Sequence, residues 1–250
     1  MIRLSLVGIG SGNPEHLTLE AIRVLEAADV ILLPRKGDDK TELADLRRMI
    51  ARDVLKTTPK IVEFDYPVRD AGTPKYLDGV NTWHDALGAI WGRLIREEAP
   101  ENGHVALMVW GDPSLYDSTL RIAERVKAQG IAVDVRVVPG ITSLQMLTAA
   151  HAIPLNTLGA PVQITTGRRL REHGWPEGVD TVAVMLDGEC SFQSLPGEGY
   201  DIWWGAYVGM PDQILMAGPL EDMGDRIVET RAEARERHGW IMDIYLIRKR

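Results

Sequence analysis

The sequence predicts an α/β protein of two α/β domains, the N-terminal one on a mostly parallel sheet and the C-terminal one on a mixed sheet. Three observations carry this prediction. Short, β-branched apolar runs alternate with helix-length amphipathic segments through residue 150. Beyond residue 160 strand-like runs follow one another with fewer long helices between them. A chain of 250 residues that is 45% hydrophobic can bury two small cores.

The elements follow in order. Residues 2–7 read as a buried strand, and between 17 and 28 apolar residues recur at 19, 22, 25 and 28, a helical period with Thr18 as its cap. A strand at 29–33, a charge-rich helix at 40–55, a short strand at 61–64 and a long helical region at 74–98 come next. Strands at 105–110 and 133–138 alternate with helices at 115–129 and 141–150. Further strands are expected at 162–166, 181–186, 202–208, 213–217 and 241–247. The turn after Trp110 marks the expected boundary, giving domains at 1–111 and 112–250.

Composition removes several functions. Lys and Arg total 28 against 36 Asp and Glu, a net charge of -8, which weighs against nucleic acid and anionic membrane surfaces. Cys190 is the single cysteine, so one chain can hold neither a disulfide nor a Cys-rich zinc site. The histidines show no metal-ligand spacing, and no metal is expected. Gly8, Gly10 and Gly12 break the first apolar run before it reaches signal-peptide length, and no run approaches a bilayer span, so a cytoplasmic protein is expected.

Four loops end strands and begin helices or turns with small or constrained residues. The first is Gly8-Ile9-Gly10-Ser11-Gly12-Asn13-Pro14. Its third glycine comes one residue too early for a dinucleotide fingerprint, and Leu32, Leu33 and Pro34 stand where a ribose-binding acid belongs, so a nicotinamide enzyme is disfavoured. The others are Gly111-Asp112-Pro113-Ser114-Leu115, Pro139-Gly140-Ile141-Thr142-Ser143 and Tyr207-Val208-Gly209. Loops at the carboxyl ends of strands are where open α/β sheets bind ligands.

In order and spacing, the first loop with Pro14-Glu15-His16-Leu17-Thr18-Leu19, the Gly-Asp-Pro turn and the Val137–Ser143 segment resemble the signatures of the tetrapyrrole methylase family. The resemblance implies a methyltransferase that uses S-adenosylmethionine, yields S-adenosylhomocysteine and holds the donor in a cleft between two α/β domains. Residues 32–37 and 235–243 resemble the deacetylating branch, which implies methylation of precorrin-5 at C1 with release of acetate, in cobalamin biosynthesis, by a homodimer. Carried onto this chain, the donor contacts are Trp110, Gly111, Asp112, Leu115, Thr142, Ser143, Tyr207 and Val208, with Ala217 and Gly218 as weaker adenine contacts. Val208 stands where relatives have methionine. Pro34 stands where some have an aspartate proposed as a base.

Methyl transfer from a sulfonium needs mainly alignment and exclusion of water. Deacetylation also needs a stabilised oxyanion, and the candidates are the backbone around Ser11–Asn13 (Ser11 and Asn13 themselves included) with His16. Gly10 and Gly12 are expected against the macrocycle. A polycarboxylate substrate calls for local cations, with Arg35, Lys36, Arg168 and Arg169 as candidates, then Lys40 and Arg47. From Arg47 to Lys56 a solvated helix face is the stronger expectation. The alternatives are a precorrin or uroporphyrinogen methyltransferase without deacetylation, or a non-catalytic protein that binds S-adenosylmethionine or a tetrapyrrole.

Overall fold

The computed structural model describes residues 1–35, 41–57, 59–67 and 76–250, without the side chains of 41–44, 76 and 77. It divides into two compact units, Met1–Thr142 and Ser143–Arg250. No helix among the described residues is long and apolar enough to cross a membrane.

In the first unit β1 (Ile2–Gly8), β2 (Val30–Arg35), β3 (Lys60–Asp65), β4 (His104–Val109) and β5 (Val133–Val138) form one sheet in the order β3-β2-β4-β1-β5. Every pairing is parallel. The helices are α1 (Leu19–Glu26), α2 (Thr41–Asp53), α3 (Tyr76–Glu98) and α4 (Thr119–Ala128). Alternate strand residues feed two cores. Leu4, Leu6, Leu32 and Leu107 meet Trp91 and Leu94 of α3 and Ile122 of α4 on one face. Val7, Ile31 and Met108 meet Ala21 and Leu25 of α1 and Ile50 of α2 on the other. With helices on both faces, all six residues of β4 are buried, which is why its sequence carries no polar alternation. Thr18 caps α1 as expected, its hydroxyl accepting from the Ala21 N–H at 3.0 Å.

Two departures bear on function. The β2–β4 ladder stops at Leu32 opposite Leu107, while the β2–β3 ladder runs on to Arg35 opposite Asp65. Pro34, which has no N–H to give, lies in the part of β2 that has left β4. The helix expected from 115 begins only at Thr119, because Asp117 takes the Thr119 N–H at 2.6 Å and Tyr116 holds a positive φ of 49°.

The second unit holds β6 (Val162–Thr166), β7 (Thr181–Met185), β8 (Tyr200–Ala206), β9 (Ile214–Pro219) and β10 (Asp243–Lys249) in the order β6-β7-β10-β8-β9. β6 and β7 are parallel and the other pairings antiparallel, so the sheet is mixed. Its helices are α5 (Ser143–Ala150), α6 (Gly167–His173) and α7 (Leu220–His238). Sequence periodicity missed α7, whose buried Leu220, Ile227 and Ala234 come seven apart among charged residues, too sparse a stripe for an apolar pattern. Its Arg231 is buried against Asp243 at 2.9 Å and donates to the Asp187 carbonyl. The division into units falls after Thr142. β5 adds in parallel to β1, which keeps residues 112–142 with the first sheet.

Candidate functional site

β1 lies between β4 and β5, so the loops that leave their carboxyl ends are neighbours. The Gly111 N–H donates to the Gly10 carbonyl at 2.8 Å, a short antiparallel bridge. A Cβ on Gly8 would lie 2.6 Å from the Gly140 nitrogen and 2.7 Å from the Gly111 oxygen. On Gly140 it would lie 2.1 Å from that same oxygen. Three loops therefore touch main chain to main chain. Glycine is required at 8 and 140 for this close approach, whereas Gly10 and Gly111 have positive φ.

Asp112 ties the arrangement together. One of its oxygens accepts the Gly140 N–H at 2.9 Å and the other accepts the Ser114 N–H at 2.8 Å and the Ser114 hydroxyl. Burial pushes this carboxyl up, but the Ser114 and Gly140 bonds together outweigh it and hold it below the usual value. Asn13 is engaged locally, its side-chain oxygen capping the 3-10 turn Pro14–His16 through the Glu15 N–H at 2.9 Å. In contrast, Ser11 Oγ, His16 Nδ1 and Trp110 Nε1 are buried without a hydrogen-bond partner among the described residues. Buried polar atoms in folded proteins are nearly always paired, so these three are unusual.

Where β2 parts from β4 a cavity of about 200 Å³ opens, lined among others by Pro34, Arg47, Tyr66, Trp83, Trp110 and Asp117. Arg47 corrects an expectation. It is buried at 8% exposure instead of lying on a solvated helix face. Its Nε donates to the Met108 carbonyl at 3.2 Å, on the strand β2 has left, and its guanidinium lies 5.1 Å from the Trp110 ring centre. Burial depresses the Arg47 pKa, with Tyr66 and Asp117 opposing it, and burial pushes the Tyr66 phenol up. Tyr66, Trp83 and Asp117 escaped the sequence reading, since nothing in the sequence marks where two parallel strands diverge.

The profile of the tetrapyrrole (corrin/porphyrin) methylases matches residues 3–224. The chain belongs to this family. It is 52% identical over its whole length to a precorrin-6A synthase [deacetylating] from Sinorhizobium sp, covering 96% of that protein. The crystal structure of a cobalamin-synthesis-related protein (CobF) from Corynebacterium diphtheriae superposes with a TM-score of 0.85 at 38% identity, over 100% of this chain and 99% of that one. A uroporphyrin-III C-methyltransferase from Thermus thermophilus, complexed with S-adenyl homocysteine, shares the fold at 22% identity and a TM-score of 0.60, over 98% of this chain and 91% of that one.

Against the expectations for a tetrapyrrole methylase, the first unit gathers Gly10, Gly111 and Asp112 at one place. Thr142 is beside them, its Cα 3.6 Å from where a Gly111 Cβ would stand. Gly12 is buried in the same loop as Ser11, and Leu115 is half-buried in the turn that follows Asp112. Arg35 is not a free cation. Its guanidinium pairs with Asp65 at 3.0 Å and Glu63 at 3.7 Å. Lys36 and Lys40 lie outside the described residues.

In the second unit Ser143 opens α5. Tyr207 is buried at a positive φ of 50°, and its hydroxyl donates to the Trp240 carbonyl at 2.6 Å. Val208 packs above Gly205, where a Cβ would meet its Cγ1 at 2.6 Å. Ala217 and Gly218 pair with Trp203 and Ile202 at the β9 edge, while exposed Arg168 and Arg169 ride on α6, which follows β6 at the opposite edge. The sheet separates these two pairs by its full width.

Proposed function

We propose that this chain transfers a methyl group from S-adenosylmethionine to C1 of precorrin-5 and releases the acetyl group as acetate, in cobalamin biosynthesis. The observation that carries this reading is the 52% identity, across the whole chain, to a deacetylating precorrin-6A synthase. S-adenosylmethionine supplies an electrophilic methyl group on a sulfonium.

The protein's own part is to align donor and acceptor and to exclude water. The convergence of the loops after β1, β4 and β5 supports a donor site at that end of the first sheet, and Thr142, Ser143, Tyr207 and Val208 are the contacts carried over from the family. Ser11 and His16, whose buried polar atoms have no partner among the described residues, remain the candidates on the macrocycle side. Asn13 contributes through its backbone, since its side chain caps the following turn. Arg168 and Arg169 supply exposed positive charge for substrate carboxylates. The same resemblance supports a homodimer in the cytoplasm, which sedimentation of the purified protein tests.

The deciding experiment is mass spectrometry of a turnover mixture of the full chain, S-adenosylmethionine and precorrin-5. One acetate per S-adenosylhomocysteine is expected, with a methyl group gained and an acetyl group lost by the corrinoid. Methylation that leaves the acetyl group in place refutes the reading.

A further inference from the structure

The strand β4 loses its neighbour on one side before it ends. Its ladder with β2 pairs Leu32 with Leu107 and goes no further. Continued one step in the same parallel register, the N–H of residue 34 would bond the Met108 carbonyl, but residue 34 is proline and has none. The next carbonyl, that of Val109, points to the other side and accepts the Ile9 N–H at 2.9 Å. Met108 is buried, and a buried carbonyl without a partner is costly. Arg47 of α2 takes the place of the missing donor, its Nε bonding the Met108 carbonyl at 3.2 Å. The same guanidinium lies over the half-buried Trp110 ring, 5.1 Å from its centre. One buried side chain thus grips the chain before and after Val109, immediately ahead of Gly111 and Asp112.

We propose that Arg47 is a positioning residue for the methyl donor, holding the end of β4, and through it Trp110 and the Gly111–Asp112 turn, by the bond that Pro34 cannot make. This rests on the functional reading above, which puts the donor at this end of the first sheet. The bonds from Gly111 to Gly10 and from Asp112 to Gly140 fix the turn on the side of β1 and β5. Arg47 fixes it on the side that β2 has left. Without that bond the end of β4 is free to leave the arrangement that receives the donor, and apparent affinity falls with the fraction of molecules still holding it. The group that matters is the N–H and not the charge. Glutamine carries an amide nitrogen at the same distance along the side chain as the arginine Nε, whereas methionine carries a methyl group there.

The test titrates the full chain with S-adenosylhomocysteine by calorimetry, well below the unfolding midpoint of each variant, and measures the KM for precorrin-5 in turnover. Arg47→Met is expected to weaken S-adenosylhomocysteine binding about tenfold, the worth of one hydrogen bond to a charged group, with the KM for precorrin-5 unchanged. Arg47→Gln keeps the N–H and is expected to recover most of that loss. If Arg47→Met does not fold, Arg47→Lys, which has a methylene at the Nε position, takes its place with the same expectation. Unchanged S-adenosylhomocysteine affinity in the variant without the N–H overturns the proposal, because Arg47 then serves stability alone. Equal weakening in Arg47→Gln overturns it too, since the N–H is then not the group that acts. A raised KM for precorrin-5 with S-adenosylhomocysteine binding intact also overturns it and makes Arg47 a cation for the substrate. Wild-type protein that binds no S-adenosylhomocysteine overturns the functional reading itself.

Discussion

The carboxylate of Asp112 holds the main chain of Gly140, accepting its N–H at 2.9 Å across the gap between the loops that follow β4 and β5. Removing it takes the acceptor away from the Gly140 and Ser114 N–H groups, and bonds to a charged acceptor are worth about 1.5–3 kcal/mol each. Asp112→Ala is therefore expected to lower unfolding free energy by at least about 2 kcal/mol in urea titration. The folded carboxyl sits below its ordinary value, so its contribution is complete above about pH 4 and is lost as pH falls through the folded value. The difference between wild type and variant shrinks accordingly in acid.

Gly140→Ala tests the contact between loops. The new methyl carbon would stand 2.1 Å from the Gly111 oxygen, a main-chain atom that cannot move without shifting the turn. Overpacking of this kind costs about 1–3 kcal/mol. A lower thermal midpoint is expected, together with weaker binding of S-adenosylhomocysteine by calorimetry.

His104 predicts a second pH effect. Its Nδ1 lies 3.0 Å from the Ala27 carbonyl and must donate there, while Nε2 lies 2.8 Å from the Ser5 hydroxyl. Burial pushes its pKa below 6.5. The unfolded chain then binds more protons below about pH 6.5, so stability is full above that value and declines as pH falls. Urea midpoints at about pH 7.5 and about pH 5.5 should differ in wild type and differ less in His104→Gln. Buried His84, lowered by the same cause, accounts for part of what remains.

Asp65 competes with any anionic substrate for Arg35, which it meets at 3.0 Å. Asp65→Asn leaves Arg35 only the longer pairing with Glu63 at 3.7 Å, at little cost to an exposed pair. The KM for precorrin is expected to fall a few-fold, the worth of a surface pair, and Arg35→Ala to raise it by a similar factor.

Much of the first unit was legible because both faces of its sheet are covered, so its strands show as apolar runs ended by glycine or proline. The loop motifs pointed to Gly10, Gly111, Asp112 and Thr142, which do converge. Local patterning could not show why Gly8 and Gly140 must be glycine, since that reason lies in a contact 132 residues apart in sequence. Arg47 was misread for a related cause. Its neighbours Asp45, Arg48 and Asp53 look solvated, and only the early end of the β2–β4 ladder gives a buried arginine a carbonyl to bond. In the second unit α7 stayed hidden because part of its inner face is a charged residue, Arg231, paired with Asp243.

The contact among Gly8, Gly111 and Gly140 has a thermodynamic consequence. It is made of main-chain atoms alone, so its shape does not depend on which rotamers neighbouring side chains populate, and no loop has to become ordered when a ligand settles on it. The conformational entropy was surrendered when the sheet formed. Calorimetry of donor binding should accordingly give a modest negative heat-capacity change, set by the ligand surface removed from water and without the larger signature of coupled folding.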